Sequence, residues 1–205
     1  IMGADETIPF PKNYLTPYAE TKSMAEKIIL ENKEINSLAI RPHLIWGPGD
    51  PHILPRLKEK AHQGRLKVVG EGDNLVDIIY VENAALAHVE ALEALIKAPS
   101  LSGNAYFIGQ ERPVNLWKFI NTLLTKSNLE PVESSISFSA AYKIGYLLEK
   151  TFKLIGINKP EPPMTRFVAT QLAKSHYFSH AKAKNDFGFG PRISIEEGLE
   201  RTFGN

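Results

Sequence analysis

Apolar positions along the chain change their period several times, and each change marks an element. The stretch 1–17 carries Pro9, Pro11 and Pro17 among acidic residues and reads as a surface loop. Ala25, Ile28 and Ile29 then recur at helical spacing and predict an amphipathic helix from Tyr18 to about Asn32, with Pro17 in its first turn. Residues 37–46 form a nearly continuous apolar run closed by Gly47-Pro48-Gly49-Asp50, the pattern of a buried parallel strand entering a loop. A helix over 53–63, a short strand over 67–70, an extended stretch over 76–81, an Ala- and Leu-rich helix over 82–97, a strand over 104–109 and a helix over 116–126 follow. Strand and helix thus alternate through the first 126 residues, which predicts an α/β fold with parallel strands.

After Pro131 the pattern changes. Residues 139–155 predict a basic amphipathic helix holding Lys143, Lys150 and Lys153, ended by Pro160, Pro162 and Pro163. A substrate cover or a peripheral membrane contact is its functional reading, and a helix packed on its own protein is the structural one. The tail predicts a helix over 165–174, a short segment over 177–179, a helix from His180, and a last helix over 194–202 with Ser194 as its N-cap.

Composition narrows the function classes. With 205 residues and 43% hydrophobic content the chain can bury one good core and a smaller lobe. A formal net charge of +1 without a basic cluster argues against nucleic acid as a partner. No cysteine is present, which suits a cytoplasmic location and removes thiol chemistry. No signal-peptide pattern and no uncharged apolar run of about 18 residues is found. His176 and His180 stand four apart but lack a neighbouring carboxylate, so no metal is expected. Hydrolase signatures such as Gly-x-Ser-x-Gly are absent.

The candidate chemistry lies in Tyr18-Ala19-Glu20-Thr21-Lys22. On a helix, positions i and i+4 share a face, and an ammonium beside a phenol favours the phenolate and suits it to proton transfer. Spacing alone does not identify the pair. Seven tyrosines and seventeen lysines in 205 residues yield roughly 0.6 such pairs by chance, and Tyr146 with Lys150 forms a second one. His43, just after Arg41-Pro42 at a strand end, is a further candidate neighbour of a substrate or cofactor. Asp77 and Tyr80 read as residues that fix a loop rather than donate protons.

Context selects the first pair. Tyr18-x-x-x-Lys22, then Arg41-Pro42 with Gly47-Pro48-Gly49-Asp50, then Asp77-Ile-Ile-Tyr80-Val81-Glu82-Asn83 resemble, in order and spacing, the catalytic half of an extended short-chain dehydrogenase/reductase. The subgroup they are most similar to is the 3β-hydroxysteroid dehydrogenase/isomerase type, with Gly3-Ala4-Asp5-Glu6, Phe187-Gly188-Phe189 and Glu197-Gly198-Leu199-Glu200-Arg201-Thr202 in support. This resemblance implies the C-terminal portion of a Rossmann-type parallel sheet, over 1–130 with a substrate-loop insertion at 49–79, and a smaller substrate-binding lobe over 131–205. It also implies NAD or NADP as cofactor, Tyr18 as acid/base, Lys22 as its tuner and ribose ligand, and a nicotinamide lined by the backbone of Pro42, His43, Leu44 and Ile45. A bulky hydrophobic secondary alcohol or ketone is the implied substrate. A sugar-nucleotide epimerase or dehydratase, and a non-catalytic lipid-binding or membrane-surface module, are the alternatives. The family's glycine-rich first turn, ribose-binding acid and carbonyl-polarising Ser or Thr lie upstream of its Tyr. The 205 residues are therefore expected to be a fragment, inactive and unable to bind NAD alone. Met24, Ile28 and Ile29 on the first helix are expected to drive dimerisation or self-association.

Overall fold

Short strands alternate with well-capped helices through most of the chain. The computed structural model describes residues 1–156 and 162–204, so Pro160 lies outside the described residues. In chain order the elements are β1 (Met2–Ala4), α1 (Pro17–Glu31), β2 (Leu38–Pro42), β3 (Ile45–Trp46), α2 (Ile53–His62), β4 (Val68–Val69), β5 (Leu75–Val76), β6 (Ile79–Tyr80) and α3 (Val81–Lys97). A 3₁₀ turn at Pro99–Leu101 leads to β7 (Asn104–Ile108), β8 (Val114–Asn115), α4 (Leu116–Lys126), β9 (Ser135–Ile136), α5 (Phe138–Leu154), α6 (Arg166–Ala173), β10 (Tyr177–Phe178), α7 (Ala181–Phe187) and α8 (Ile195–Phe203). Side-chain caps start five of the helices: Thr16, Asn115, Ser137, Thr165 and Ser194 each accept from a backbone N–H in the first turn.

The chain divides into two compact units. The first comprises Ile1–Pro55, Val76–Val114 and Tyr177–Asn205, and the second Arg56–Leu75 and Asn115–His176. In the first unit β2 pairs with β7 over five residues, from Leu38 opposite Asn104 to Pro42 opposite Ile108. β3 pairs with β6 and β1 with β10, and all three pairings are parallel. Helices α1 and α3 both contact β2, while α7 contacts β7. Ile79, Ala84, Ala87, Tyr106, Ile108, Ala183 and Phe189 close the core between them. In the second unit β4 pairs with β9, again parallel, α6 packs on β4, and α5 packs on α6.

These units differ from the expected boundary near 130/131. Residues 177–204 return to the first unit because β10 pairs with β1 and because Asn83, buried at the start of α3, binds the segment before α8. Its amide donates to Ile193 O at 2.7 Å and accepts from Arg192 N and Ile193 N at 3.0 and 3.1 Å. Helix α4 joins the second unit, where Trp117 donates from Nε1 to Leu172 O at 3.0 Å.

Two expectations for strands need correction. The predicted strand 37–46 breaks into β2 and β3 at His43-Leu44, because Leu44 takes a left-handed φ of 44° that a continuous strand cannot contain. The predicted loop 1–17 contains β1, which is held by its long-range partner Tyr177–Phe178.

Candidate functional site

Helix α1 starts with the Thr16 hydroxyl accepting from Ala19 N at 3.2 Å and with Pro17 in its first turn. Its inward line runs through Ala19, Ser23 and Glu26, and the Tyr14 hydroxyl donates to Ser23 Oγ at 2.6 Å. Tyr18 and Lys22 each precede a residue of that line by one position, so both lie on a flank of the helix and are exposed, Tyr18 at 69%. The structure therefore presents the phenol and the ammonium on one side of one helix, toward solvent.

The next turn of the same helix is fastened. Glu26 receives two hydrogen bonds from Arg41, at 3.0 Å from Nε and 2.5 Å from Nη2, a fork-on-carboxylate pair. Arg41 is half-buried because aromatic rings flank it: its guanidinium carbon stands 5.6 Å from the Phe10 centroid and 4.9 Å from that of Phe107. Phe107 stacks on Phe178 with centroids 4.0 Å apart, and Phe178 meets His43 edge-on at 6.0 Å. Glu6 adds a tie by accepting from Phe107 N at 2.8 Å. A ladder of Phe10, Arg41, Phe107, Phe178 and His43 thus joins the opening segment, β2, β7 and β10.

Arg41 directly precedes Pro42, so its pair with Glu26 sets where α1 lies along β2 and the segment that follows. Glu26 is two turns beyond Tyr18, about 12 Å along the axis. Within 42–45, Pro42, His43 and Leu44 are half-buried and Ile45 is exposed. Leu44 O accepts from Ile79 N at 3.2 Å. A non-glycine residue in the left-handed region is a strained backbone, and such strain concentrates at functional sites.

The third motif is structural. Asp77 is buried and accepts from Phe178 N at 2.8 Å, while its Oδ2 lies 3.1 Å from His180 Nε2. Gly109 faces this pair so closely that a Cβ there would fall 2.5 Å from the His180 ring. Tyr80 is buried, and burial first, then the Glu82 charge, raises its phenol above the ordinary range. Neither residue is presented for proton transfer. A cleft of about 290 Å³ beside His180, lined also by Glu111, Lys184 and Phe189, holds none of the predicted site residues. His176 is buried with Nδ1 2.7 Å from Lys174 O, and no group of three potential metal ligands occurs among the described residues.

Sequence reasoning missed Glu26, Phe10 and the clamp role of Arg41. One signal was present, since Glu26 continues the i, i+4, i+8 row begun by Tyr18 and Lys22.

The chain matches the model of the 3-beta hydroxysteroid dehydrogenase/isomerase family over residues 1–139. A 2-alkyl-3-oxoalkanoate reductase of Stenotrophomonas maltophilia is 45% identical over 202 residues, which are 98% of this chain and 61% of that protein. A decarboxylating sterol-4-alpha-carboxylate 3-dehydrogenase of Mus musculus is 33% identical over 208 residues, 98% of this chain and 58% of that protein. The chain thus spans less than two thirds of the length of these relatives. Among solved structures, a UDP-glucuronic acid 4-epimerase from Bacillus cereus in complex with NAD superposes with a TM-score of 0.65 at 20% identity, covering 98% of this chain and 55% of that one. A dTDP-glucose 4,6-dehydratase from Bacillus anthracis in complex with NAD superposes with a TM-score of 0.62 at 18% identity, covering 98% and 54%. At that identity the likeness shows a shared fold, a Rossmann-like α/β arrangement with parallel strands.

Proposed function

Because the chain belongs to the 3-beta hydroxysteroid dehydrogenase/isomerase family, we propose that it carries the proton-transfer side of an NAD(P)-linked oxidoreductase acting at a secondary alcohol or its ketone on a bulky apolar molecule. The observation that carries this reading is the pair Tyr18 and Lys22, exposed on one flank of α1 while Glu26 anchors that helix to Arg41 beside Pro42–Ile45. Tyr18 gives its hydroxyl proton to the carbonyl oxygen in reduction and takes it back in oxidation. Lys22 steadies the charge that develops on the phenol oxygen and offers a donor to the nicotinamide ribose. The backbone of 42–45, with Leu44 held left-handed, lines the nicotinamide. When bound, the nicotinamide supplies or accepts the hydride.

The relatives' names narrow the substrate class. A 2-alkyl-3-oxoalkanoate and a sterol 4-carboxylate oxidised at carbon 3 both react at the carbon bonded to the one that bears the carboxylate. That carboxylate-bearing carbon also carries an apolar substituent in each. The substrate class we assign is therefore a branched, hydrophobic 3-hydroxy or 3-oxo acid.

By themselves the 205 residues lack a glycine-rich turn for the cofactor's pyrophosphate. Isothermal titration of the chain with NAD or NADP is expected to show no binding, and micromolar binding would contradict this account of the site. Activity is expected once the chain is joined to the part of the Stenotrophomonas relative that it does not span. That chimaera should oxidise NADH or NADPH with 2-alkyl-3-oxoalkanoates. Turnover of nucleotide sugars instead would favour an epimerase or dehydratase. Met24, Ile28 and Ile29 are exposed on α1, and we assign them to self-association; a monomer by light scattering at high concentration would refute this.

A further inference from the structure

We infer that the cleft beside His180, within the first unit, binds a small carboxylate whose body is apolar. His176 and His180 stand four apart, and the proposed reaction gives neither a task. His176 is buried, whereas His180 lines a cleft of about 290 Å³. Its ring is held from behind. Asp77, with only 2% of its side chain exposed, accepts from Phe178 N at 2.8 Å and places Oδ2 3.1 Å from His180 Nε2. No lysine or arginine among the described residues pairs with this carboxylate, so the imidazole is the partner that a buried charge requires. A carboxylate only accepts, so Nε2 carries the hydrogen of the bond. Gly109 keeps the place open for the ring, since a Cβ there would fall 2.5 Å from Cε1 and 2.6 Å from Nε2. Phe189 meets the ring edge-on, with centroids 6.5 Å apart. The other ring nitrogen, Nδ1, has no hydrogen-bond partner among the described residues and is not buried. His180 is thus oriented through one nitrogen and offered through the other.

The groups around the ring decide the ligand. Lys184 stands one helical turn on, its backbone N–H bonded to His180 O at 3.1 Å, and lines the same cleft. It is exposed and pairs with no carboxylate among the described residues. Lys182, by contrast, is tied to Asn104 Oδ1 at 2.8 Å and to Ala105 O at 3.3 Å. On the opposite wall the polar groups are engaged. Gln110 Oε1 accepts from Tyr80 N and Asn83 Nδ2, and Gln110 Nε2 donates to Glu111 Oε2 and Ile193 O. Glu111 Oε1 accepts from Arg112 Nη1 and Ile195 N, so an arginine offsets its charge. Phe189 and Pro191 supply apolar surface, and the space beside Gly190 is open. The groups left free are therefore an ammonium and an imidazole nitrogen beside an aromatic and a proline ring. A carboxylate accepts a charge-assisted bond from the ammonium, and a second from Nδ1 when that nitrogen is protonated. An apolar body attached to it packs on Phe189 and Pro191.

Nuclear magnetic resonance titration of the 205-residue chain with benzoate tests this independently of any oxidoreductase activity. Benzoate should shift the His180 imidazole nitrogens and the Phe189 ring signals together and saturably, with a Kd of about 1 mM. Benzamide has the same shape without the charge, and inorganic phosphate has charge without the apolar ring. Each should bind at least about tenfold more weakly. Lys184→Gln should weaken benzoate binding about tenfold, while Lys97→Gln, at an exposed position on α3, should leave it unchanged. His180→Gln should abolish it. Circular dichroism melts check that each variant is folded, and the exposed position of Lys184 makes its variant the decisive one if His180→Gln is unstable. No saturable shift, benzamide or phosphate binding as tightly as benzoate, an undiminished response in Lys184→Gln, or an equal loss in Lys97→Gln would each overturn the inference.

Discussion

The molecule holds two helices with the same Tyr-x-x-x-Lys spacing, and they use it differently. On α5 the Lys150 ammonium lies 4.8 Å from the Tyr146 centroid, and the Arg166 guanidinium carbon lies 5.4 Å from the same ring. Arg166 is also the partner of Glu149, so the arginine that clamps this helix takes up its tyrosine as well. On α1 the clamp is Arg41 with Glu26, but the rings that flank Arg41 are Phe10 and Phe107. Tyr18 is left out of that stack and exposed. Identical spacing thus yields a packing device in one place and a presented phenol in the other. The difference lies in which aromatic residues the clamping arginine finds.

The largest effect expected from this contrast is on turnover. In the chimaera described above, Tyr18→Phe should lower the rate at least about a hundredfold, the scale of losing a positioned proton donor. Tyr146→Phe should leave the rate within about twofold, because a phenylalanine still offers its face to the cations. Steady-state kinetics on both variants decide it. Equal losses would dissolve the distinction between the helices.

Next in size is the clamp. Arg41→Met leaves the Glu26 carboxylate half-buried without its partner, which is expected to cost about 2 to 3 kcal/mol. Arg166→Met should cost less, about 1 to 2 kcal/mol, since Glu149 and Arg166 are more exposed and since residue 166 retains its backbone N–H to Glu149. Urea unfolding measures both. A larger loss for the α5 clamp would reverse the ranking.

Much of this arrangement was legible in the chain, and what was not has a common cause. Helices α1, α3 and α5 follow from apolar and Ala- and Leu-rich patterns, with Pro17 marking the first turn of α1, all of which are local. Three-residue β1 could not be read, because Gly3 and the prolines that follow resemble a loop and the strand exists through Tyr177–Phe178. The break at Leu44 was hidden by its apolar neighbours, for leucine carries no mark of a left-handed backbone. Arg41 stood in the predicted strand and in a motif of the resemblance, but nothing local tied it to Glu26 fifteen residues earlier, and only the placement of α1 on β2 makes them partners. The resemblance pointed to Tyr18 and Lys22, while the scaffold that presents them is made of contacts between distant segments.

Packing supplies a third contrast. Gly145→Ala would drive a methyl group into the backbone of Thr165 and Arg166 and should destabilise by about 1 to 2 kcal/mol. Met24→Ala on α1, at an exposed position, should change stability by no more than about 0.5 kcal/mol. Thermal melts of the two variants test whether α5 is the packed helix and α1 the open one.

Tyrosines elsewhere give the buried reference for both exposed ones. Tyr106 is fully buried, and burial first, then its hydrogen bond to Asp186 at 2.8 Å, raises its phenol well above the ordinary range, as burial does for Tyr80. Below about pH 10 both the folded and the unfolded chain keep these protons. Above it the unfolded chain alone ionises them, until the pH passes the folded values, so stability should fall as pH rises through that window. Urea midpoints measured across the alkaline range should decline, less steeply in Tyr106→Phe. A flat profile would contradict the burial assigned to these rings.

The smallest effect separates the two lysines. Lys150 holds a cation over an aromatic face at a solvent-exposed site, an interaction worth about 0.5 kcal/mol. Lys150→Gln should lower stability by no more than that and leave turnover of the chimaera unchanged. Lys22 is exposed on the flank of α1, so Lys22→Gln should leave stability within about 0.5 kcal/mol, while the role we propose for its ammonium beside Tyr18 requires turnover to fall. A matched pair of melts and rate measurements reads both quantities. If Lys22→Gln cost stability and spared turnover, the ammonium would be a packing group like Lys150, and the difference between the two helices would rest on Tyr18 alone.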